Sequence, residues 1–111
     1  MAQDGFERHL RRVRRLAEQR LDSFEALLRS HARRGRPWAW RRPDGGFAVW
    51  LDLGTDSRPV AARAAALGVG VLEESQFGPT KKPSHLRLGF ARLDPHEQAR
   101  GLERLGQACV R

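Results

Sequence analysis

The sequence predicts an α/β (α+β) domain, a two-layer sandwich in which helices cover one face of a small, mainly antiparallel sheet. Apolar residues recur every three or four positions in three segments, as in amphipathic helices, and every second position in most of the segments between them, as in half-buried strands. The predicted order is α-β-β-α-β-β-α. Because each strand has one apolar face, a single layer of helices would bury all of them. The opposite face of the sheet must then meet water, a ligand or another domain.

The first helix is predicted over about residues 4–34. Gly35 and Pro37 follow it and are typical of a helix end. One apolar stripe runs along this helix, formed by Phe6, Leu10, Val13, Leu16 or Ala17, Leu21, Phe24 and Leu28. The stripe indicates one long amphipathic helix.

A β-hairpin is predicted next. Residues 38–42 alternate, with Trp38 and Trp40 on one side, and residues 43–46 (P-D-G-G) form a turn. Beyond the turn, alternate residues of the second strand are apolar: Phe47, Val49, Leu51 and Leu53. Both strands of the hairpin therefore have one face suited to a core.

The second half of the chain repeats the change from helix to strand. An Ala-rich helix over 60–67 has N-cap candidates at 55–57, Pro59 in its first turn and Gly68 as a C-cap candidate. A short strand over 69–72, a loop over 73–83 and an alternating strand over 85–91 follow.

The last helix starts at 94–97 (D-P-H-E), where an acidic N-cap residue precedes Pro95. Leu102, Leu105 and Cys109 form its inner stripe.

Composition and charge limit the classes of function. No stretch approaches the ~20 apolar residues of a membrane span, and the first residues have no apolar core typical of a signal peptide, so we expect no membrane partner and a cytoplasmic protein. The net charge is +8, with most of the excess arginine between Arg8 and Arg42. This excess fits either a nucleic-acid-binding surface or a solvated helix face, and we expect weak nucleic-acid binding at most.

Arg87 is the candidate site residue. In the alternating strand 85–91, it lies on the side opposite Leu86, Leu88 and Phe90, with the small Gly89 and Ala91 on its own side. A planar, permanently charged guanidinium with room beside it suits bidentate binding of a carboxylate. The alternative is an arginine on a solvated face, paired with Glu73 or Asp52.

Four ordered motifs resemble the carboxyl-terminal small domain of class I/II (fold type I) pyridoxal-phosphate-dependent aminotransferases. Residues 85–91 (H-L-R-L-G-F-A) resemble a strand of that family, and residues 42–51 resemble its P-x-G-G-F-x-x-W hairpin. Residues 5–12 look like the opening of the long helix that links its two domains. Residues 68–71 (G-V-G-V) are similar to its strand before the active-site loop, whereas residues 74–77 read E-S-Q-F where the family often has P-G-x-x-F.

The resemblance implies that residues 1–111 form an aminotransferase small domain, with the linking helix at about 4–34. It implies that Arg87 binds the carboxylate of an amino-acid or 2-oxo-acid substrate, or of an effector. Pyridoxal phosphate is implied for the complete protein. We expect none to bind this chain alone, and no catalytic residue in it, because Lys81 and Lys82 match no Schiff-base motif.

The arginine-rich first helix and the R-L-G-F-A sequence look closest to MocR regulators, in which an aminotransferase-like domain follows a GntR-type DNA-binding domain. The chain would then need the missing large domain, or a homodimer partner, to function. The alternative is a free-standing basic module that binds nucleic acid or a partner protein.

Overall fold

The computed structural model describes residues 2–44 and 46–110, with side chains from Asp4 onwards. Gly45, in the predicted turn, lies outside the described residues. The helices and strands occur in the predicted order, and their bounds are α1 Ala2–Arg33, β1 Ala39–Trp40, β2 Ala48–Asp52, α2 Ser57–Ala66, β3 Leu72–Glu73, β4 His85–Gly89 and α3 Pro95–Ala108, with a 3₁₀ helix at Glu74–Phe77.

The four strands form one sheet in the order β1-β2-β4-β3, and every neighbouring pair is antiparallel. On the inner face, Val49 pairs with Leu88 and Leu51 pairs with Leu86. These residues pack with apolar side chains of all three helices: Leu21, Phe24, Leu28, Val60, Ala64, Leu102, Leu105 and Ala108. The fold is therefore the predicted α+β sandwich, with the helices on one side of an antiparallel sheet.

Helix α1 is longer than the core that it covers. At 1.5 Å per residue its 32 residues span about 48 Å. Only the second half of the predicted stripe is buried, from Leu21 onwards, whereas Phe6, Leu10, Val13 and Leu16 are exposed. Whether this helix joins two domains stays a prediction.

The predicted helix caps are present in α2 and α3. Asp56 is the N-cap of α2, and Gly68, with a φ of 84°, follows its C-cap. In α3, the Asp94 carboxylate accepts a hydrogen bond from the Glu97 backbone N–H, and the Glu97 carboxylate accepts one from the Asp94 N–H. This reciprocal capping box fixes the start of α3.

Two predictions about residues 69–83 were wrong. The strand predicted over 69–72 is only Leu72–Glu73, because the Val69 N–H still bonds to Ala64 O at 2.8 Å in the turn that ends α2. The predicted loop contains the 3₁₀ helix, which starts with its own capping box between Glu73 and Gln76. The E-x-x-Q spacing was a signal for this start that the sequence reading missed.

Three smaller expectations also differ. The first hairpin strand, predicted over 38–42, is limited to Ala39–Trp40, and Arg42 instead extends to Asp22 and Glu25 on α1. Phe47 lies before β2 and is 60% exposed. Strand β4 ends at Gly89, so Ala91 packs partly against the core and does not lie beside Arg87.

Candidate functional site

The site is a row of three side chains across the sheet face opposite the three α-helices. Arg87 pairs with Trp50 on β2 and with Leu72 on β3. Residues that pair directly across antiparallel strands point to the same face, so these three side chains are neighbours. All three are exposed, whereas Leu86 and Leu88, on either side of Arg87 in the chain, are buried.

Arg87 has no ion pair or side-chain hydrogen bond among the described residues. The two carboxylates that could have paired with it have other partners. Glu73 is buried and accepts hydrogen bonds from Ser57 Oγ at 2.8 Å and Ser75 N–H at 2.9 Å. Asp52 accepts from the Gly54 N–H at 2.9 Å. The guanidinium is therefore available to an external anion.

An aromatic group lies beside the row. The Trp50 ring contacts Phe77 edge to face at 5.1 Å between centroids, and His85 at 6.1 Å. Trp50 remains 42% exposed and Phe77 54% exposed. The 3₁₀ helix thus brings an aromatic side chain, from a segment predicted to be a loop, next to Trp50, the strand partner of Arg87.

Glu74 joins the 3₁₀ helix to β4. Its Oε1 accepts hydrogen bonds from the backbone N–H groups of Ser84 and His85, each at 3.1 Å, and contacts His85 Nδ1 at 2.9 Å. The Ser84 N–H, the His85 ring and the His85 N–H lower the pKa of Glu74, and burial opposes them less strongly. The ionised carboxylate therefore holds the segment that carries Phe77.

The sign of the pH effect follows from this lowered pKa. Above pH 4.5, the usual pKa of a glutamate, the contribution of Glu74 to the free energy of unfolding is fully present. This contribution is lost as the pH falls through the lower pKa that Glu74 has in the folded state. Between pH 6 and pH 3.5, we therefore expect the free energy of unfolding to fall less in Glu74→Gln than in the unchanged protein. Urea unfolding at both pH values would measure this difference. Glu7→Gln, on the exposed start of α1, is the control. An unchanged loss in Glu74→Gln would contradict this assignment.

The strand positions beyond Arg87 carry small residues. Gly89, two residues along β4, pairs with Ala48 on β2. A Cβ built on Gly89 would have no heavy atom nearer than Phe47 O at 3.9 Å. The expected room beside Arg87 is therefore provided by Gly89 and Ala48, without Ala91.

The groove lined by the two lysines does not suit pyridoxal phosphate. Lys81 and Lys82 are exposed and line an open groove of about 540 Å³ together with Arg58, Asp52 and Asp56. Arg58 Nη2 lies 2.8 Å from the Asp56 carboxylate, which offsets its charge. A phosphate in this groove would face two carboxylates, and neither lysine is held in place by a hydrogen bond or ion pair in the described structure.

The remaining candidates are dispersed. Trp38 is buried, Trp40 is half-buried and Trp50 lies on the open face, so the three indoles form no common stacking surface. Trp40 Nε1 donates to the buried Glu25 at 2.9 Å, which explains its position. No helix among the described residues is long and apolar enough to cross a membrane.

No family model matches the chain, but the similar proteins and structures are aminotransferases. The 2-aminoadipate transaminase of Thermus thermophilus is 31% identical in an alignment 112 residues long, which covers 97% of this chain and 28% of that enzyme. The chain therefore spans little more than a quarter of the length of its curated relative.

Two solved structures show the same relationship. The α-aminoadipate aminotransferase of Thermus thermophilus, in complex with N-(5'-phosphopyridoxyl)-L-leucine, superposes with a TM-score of 0.79 at 31% identity, over 96% of this chain and 28% of that chain. The kynurenine aminotransferase of Pyrococcus horikoshii gives a TM-score of 0.75 at 26% identity, over 92% and 26%. Over nearly its whole length, the chain is therefore homologous to a C-terminal-like segment of the pyridoxal-phosphate-dependent aminotransferases, and it has the fold of their small domain.

Proposed function

We propose that this chain is the substrate-binding small domain of a pyridoxal-phosphate-dependent aminotransferase or of a MocR-type regulator. Arg87 binds the carboxylate of an amino acid or 2-oxo acid. The chain performs no transamination alone. In an aminotransferase, the Schiff-base lysine and the phosphate-binding residues belong to the part of the enzyme that this chain does not match. Pyridoxal phosphate, when bound there, supplies the electron sink for the reaction.

The single observation that carries the proposal is the state of Arg87. It is exposed on the sheet face opposite the three α-helices, and it has no carboxylate partner among the described residues. An arginine held on a strand presents two parallel N–H groups in a fixed geometry, which matches both oxygens of a carboxylate. A rigid strand also positions a binding group better than a loop does.

The choice between enzyme and regulator concerns the rest of the protein. The exposed, arginine-rich start of α1 and the R-L-G-F-A sequence at residues 87–91 support the MocR-type alternative, in which the ligand of Arg87 is an effector. The names of the similar proteins refer to aminoadipate and kynurenine, so they do not define one substrate for this chain. We place the complete protein in the cytoplasm, with the large domain or a homodimer partner covering this domain.

The test is Arg87→Ala in the complete protein that carries this domain. We expect the dissociation constant for the amino acid to rise roughly 10–100-fold, since a bidentate charge-assisted contact is lost. Isothermal titration calorimetry would measure it. Arg92→Ala, an exposed arginine just past β4, is the matched control and should leave binding unchanged. Equal binding by Arg87→Ala and the unchanged protein would refute the role of Arg87.

A second candidate, a free-standing nucleic-acid-binding module, rests on the exposed start of α1. Residues 4–16 are all exposed and carry Arg8, Arg11, Arg12, Arg14 and Arg15. The carboxylates of Asp4 and Glu7 partly offset this charge, and the indoles that could stack on bases lie elsewhere.

We expect at most weak, sequence-independent binding of DNA or RNA that decreases steeply with salt, as counterion release requires. Fluorescence anisotropy with labelled oligonucleotides at about 50 and 200 mM salt would measure it. Arg11→Ala should weaken binding, whereas Arg58→Ala, whose charge Asp56 offsets, should not. Submicromolar, sequence-selective binding at the higher salt concentration would instead establish the second candidate.

A further inference from the structure

The immediate neighbours of Arg87 are apolar on both adjoining strands. Trp50 and Leu72, which pair directly with it, are each 42% exposed. We propose that this face selects carboxylates with an apolar body and a single negative charge, and that Trp50 is the residue that sets the preference. This proposal rests on the proposed role of Arg87 and adds the class of ligand.

The charges on the open face favour a monocarboxylate. Arg87 is the only lysine or arginine on the four strands. His85 lies beside Trp50, and two carboxylates face it: the oxygens of Glu74 and Asp52 lie 2.9 Å and 3.9 Å from the His85 ring nitrogens. A second carboxylate on a ligand that lies along the strands would therefore find no second cation on them, and it would be repelled by these acids.

Trp50 offers the larger apolar surface for the body of the ligand. Phe77 and His85 both meet its ring edge to face, so the orientation of the indole is fixed by contacts on the His85 side of the row. Among the described residues, the Trp50 ring forms no cation–π contact with Arg87, and the one such contact is between Arg36 and Trp38. The indole and the guanidinium are both accessible, side by side, to one ligand.

The small pair Ala48 and Gly89 provides space on the other side of the row. A ligand held by its carboxylate at Arg87 can thus extend over these two small residues. Each methylene that it buries against an apolar surface improves affinity by up to roughly fourfold. A short aliphatic tail that is partly covered should gain about threefold to tenfold.

The experiment is a nuclear magnetic resonance titration of the 111-residue chain at constant ionic strength. Acetate, hexanoate and succinate are the probes, and the Arg87 backbone amide and the Trp50 indole N–H report binding. We expect hexanoate to bind about threefold to tenfold more tightly than acetate, and succinate no more tightly than acetate. In Trp50→Ala, the hexanoate-to-acetate ratio of affinities should fall below about twofold. Leu67→Ala, an apolar residue exposed to a similar extent at the end of α2, is the control and should keep the ratio.

The outcomes separate this inference from the role of Arg87. Equal affinities for hexanoate and acetate, both abolished by Arg87→Ala, would leave the proposed function standing and overturn the apolar preference. The tightest binding by succinate, or a ratio that persists in Trp50→Ala, would also overturn it. If no probe shows binding that depends on Arg87, the apolar preference is overturned, and the titration of the complete protein decides the role of Arg87.

Discussion

Leu88→Ala is expected to lower the free energy of unfolding by about 2–5 kcal/mol, whereas Arg87→Ala should lower it by only about 0–1 kcal/mol. The two residues are consecutive in β4 and point to opposite faces of the sheet. Leu88 is 5% exposed and packs in the core, so its truncation leaves a cavity. Arg87 is exposed and has no ion pair in the described part of the chain, so its truncation removes only surface contacts.

Urea unfolding of both variants, followed by circular dichroism, measures this difference. Each variant is the control for the other, because they change neighbouring positions in the same strand. A loss in Arg87→Ala as large as that in Leu88→Ala would mean that Arg87 is a structural ion, and its proposed role in binding would be withdrawn.

Trp38→Ala should lower the free energy of unfolding by about 3–5 kcal/mol. Trp38 is 5% exposed, stacks on the buried His31 with 5.0 Å between ring centroids, and lies under the Arg36 guanidinium at 5.6 Å. Burial lowers the pKa of His31, and the charges of Arg34 and Arg36 lower it further, so a neutral ring stacks on the indole at neutral pH. Because Trp38 is buried against His31, removing the indole would leave a cavity and expose the His31 ring to solvent.

Trp50→Ala provides the matched comparison, since it removes the same side chain from the open face, where 42% of the residue is already exposed. We expect it to cost about 1 kcal/mol or less, because surface substitutions rarely cost more. Thermal unfolding of the two variants compares them directly. Similar melting temperatures for both would contradict the assignment of Trp38 to the core and Trp50 to the site.

The sequence by itself determined the fold class and the orientation of Arg87. Side chains alternate between the two faces of a strand, so Arg87 and Leu88 point to opposite faces whichever strands pair with β4. Capping signals such as Asp94-Pro95 act within one helical turn. Both kinds of information are local, so they can be read from neighbouring positions. The four ordered motifs extended this to the small-domain fold, which the structural comparison confirms.

Only the tertiary structure decided which side chains surround Arg87. Strand β4 lies between β2 and β3, and this order alone brings Trp50 and Leu72 to either side of the arginine from 37 and 15 residues away in the chain (87 − 50 and 87 − 72). Likewise, the capping of the 3₁₀ helix and the contacts of Glu74 with β4 place Phe77 beside Trp50. Strand order depends on how separate apolar faces pack together, and the pattern of any one segment does not contain it.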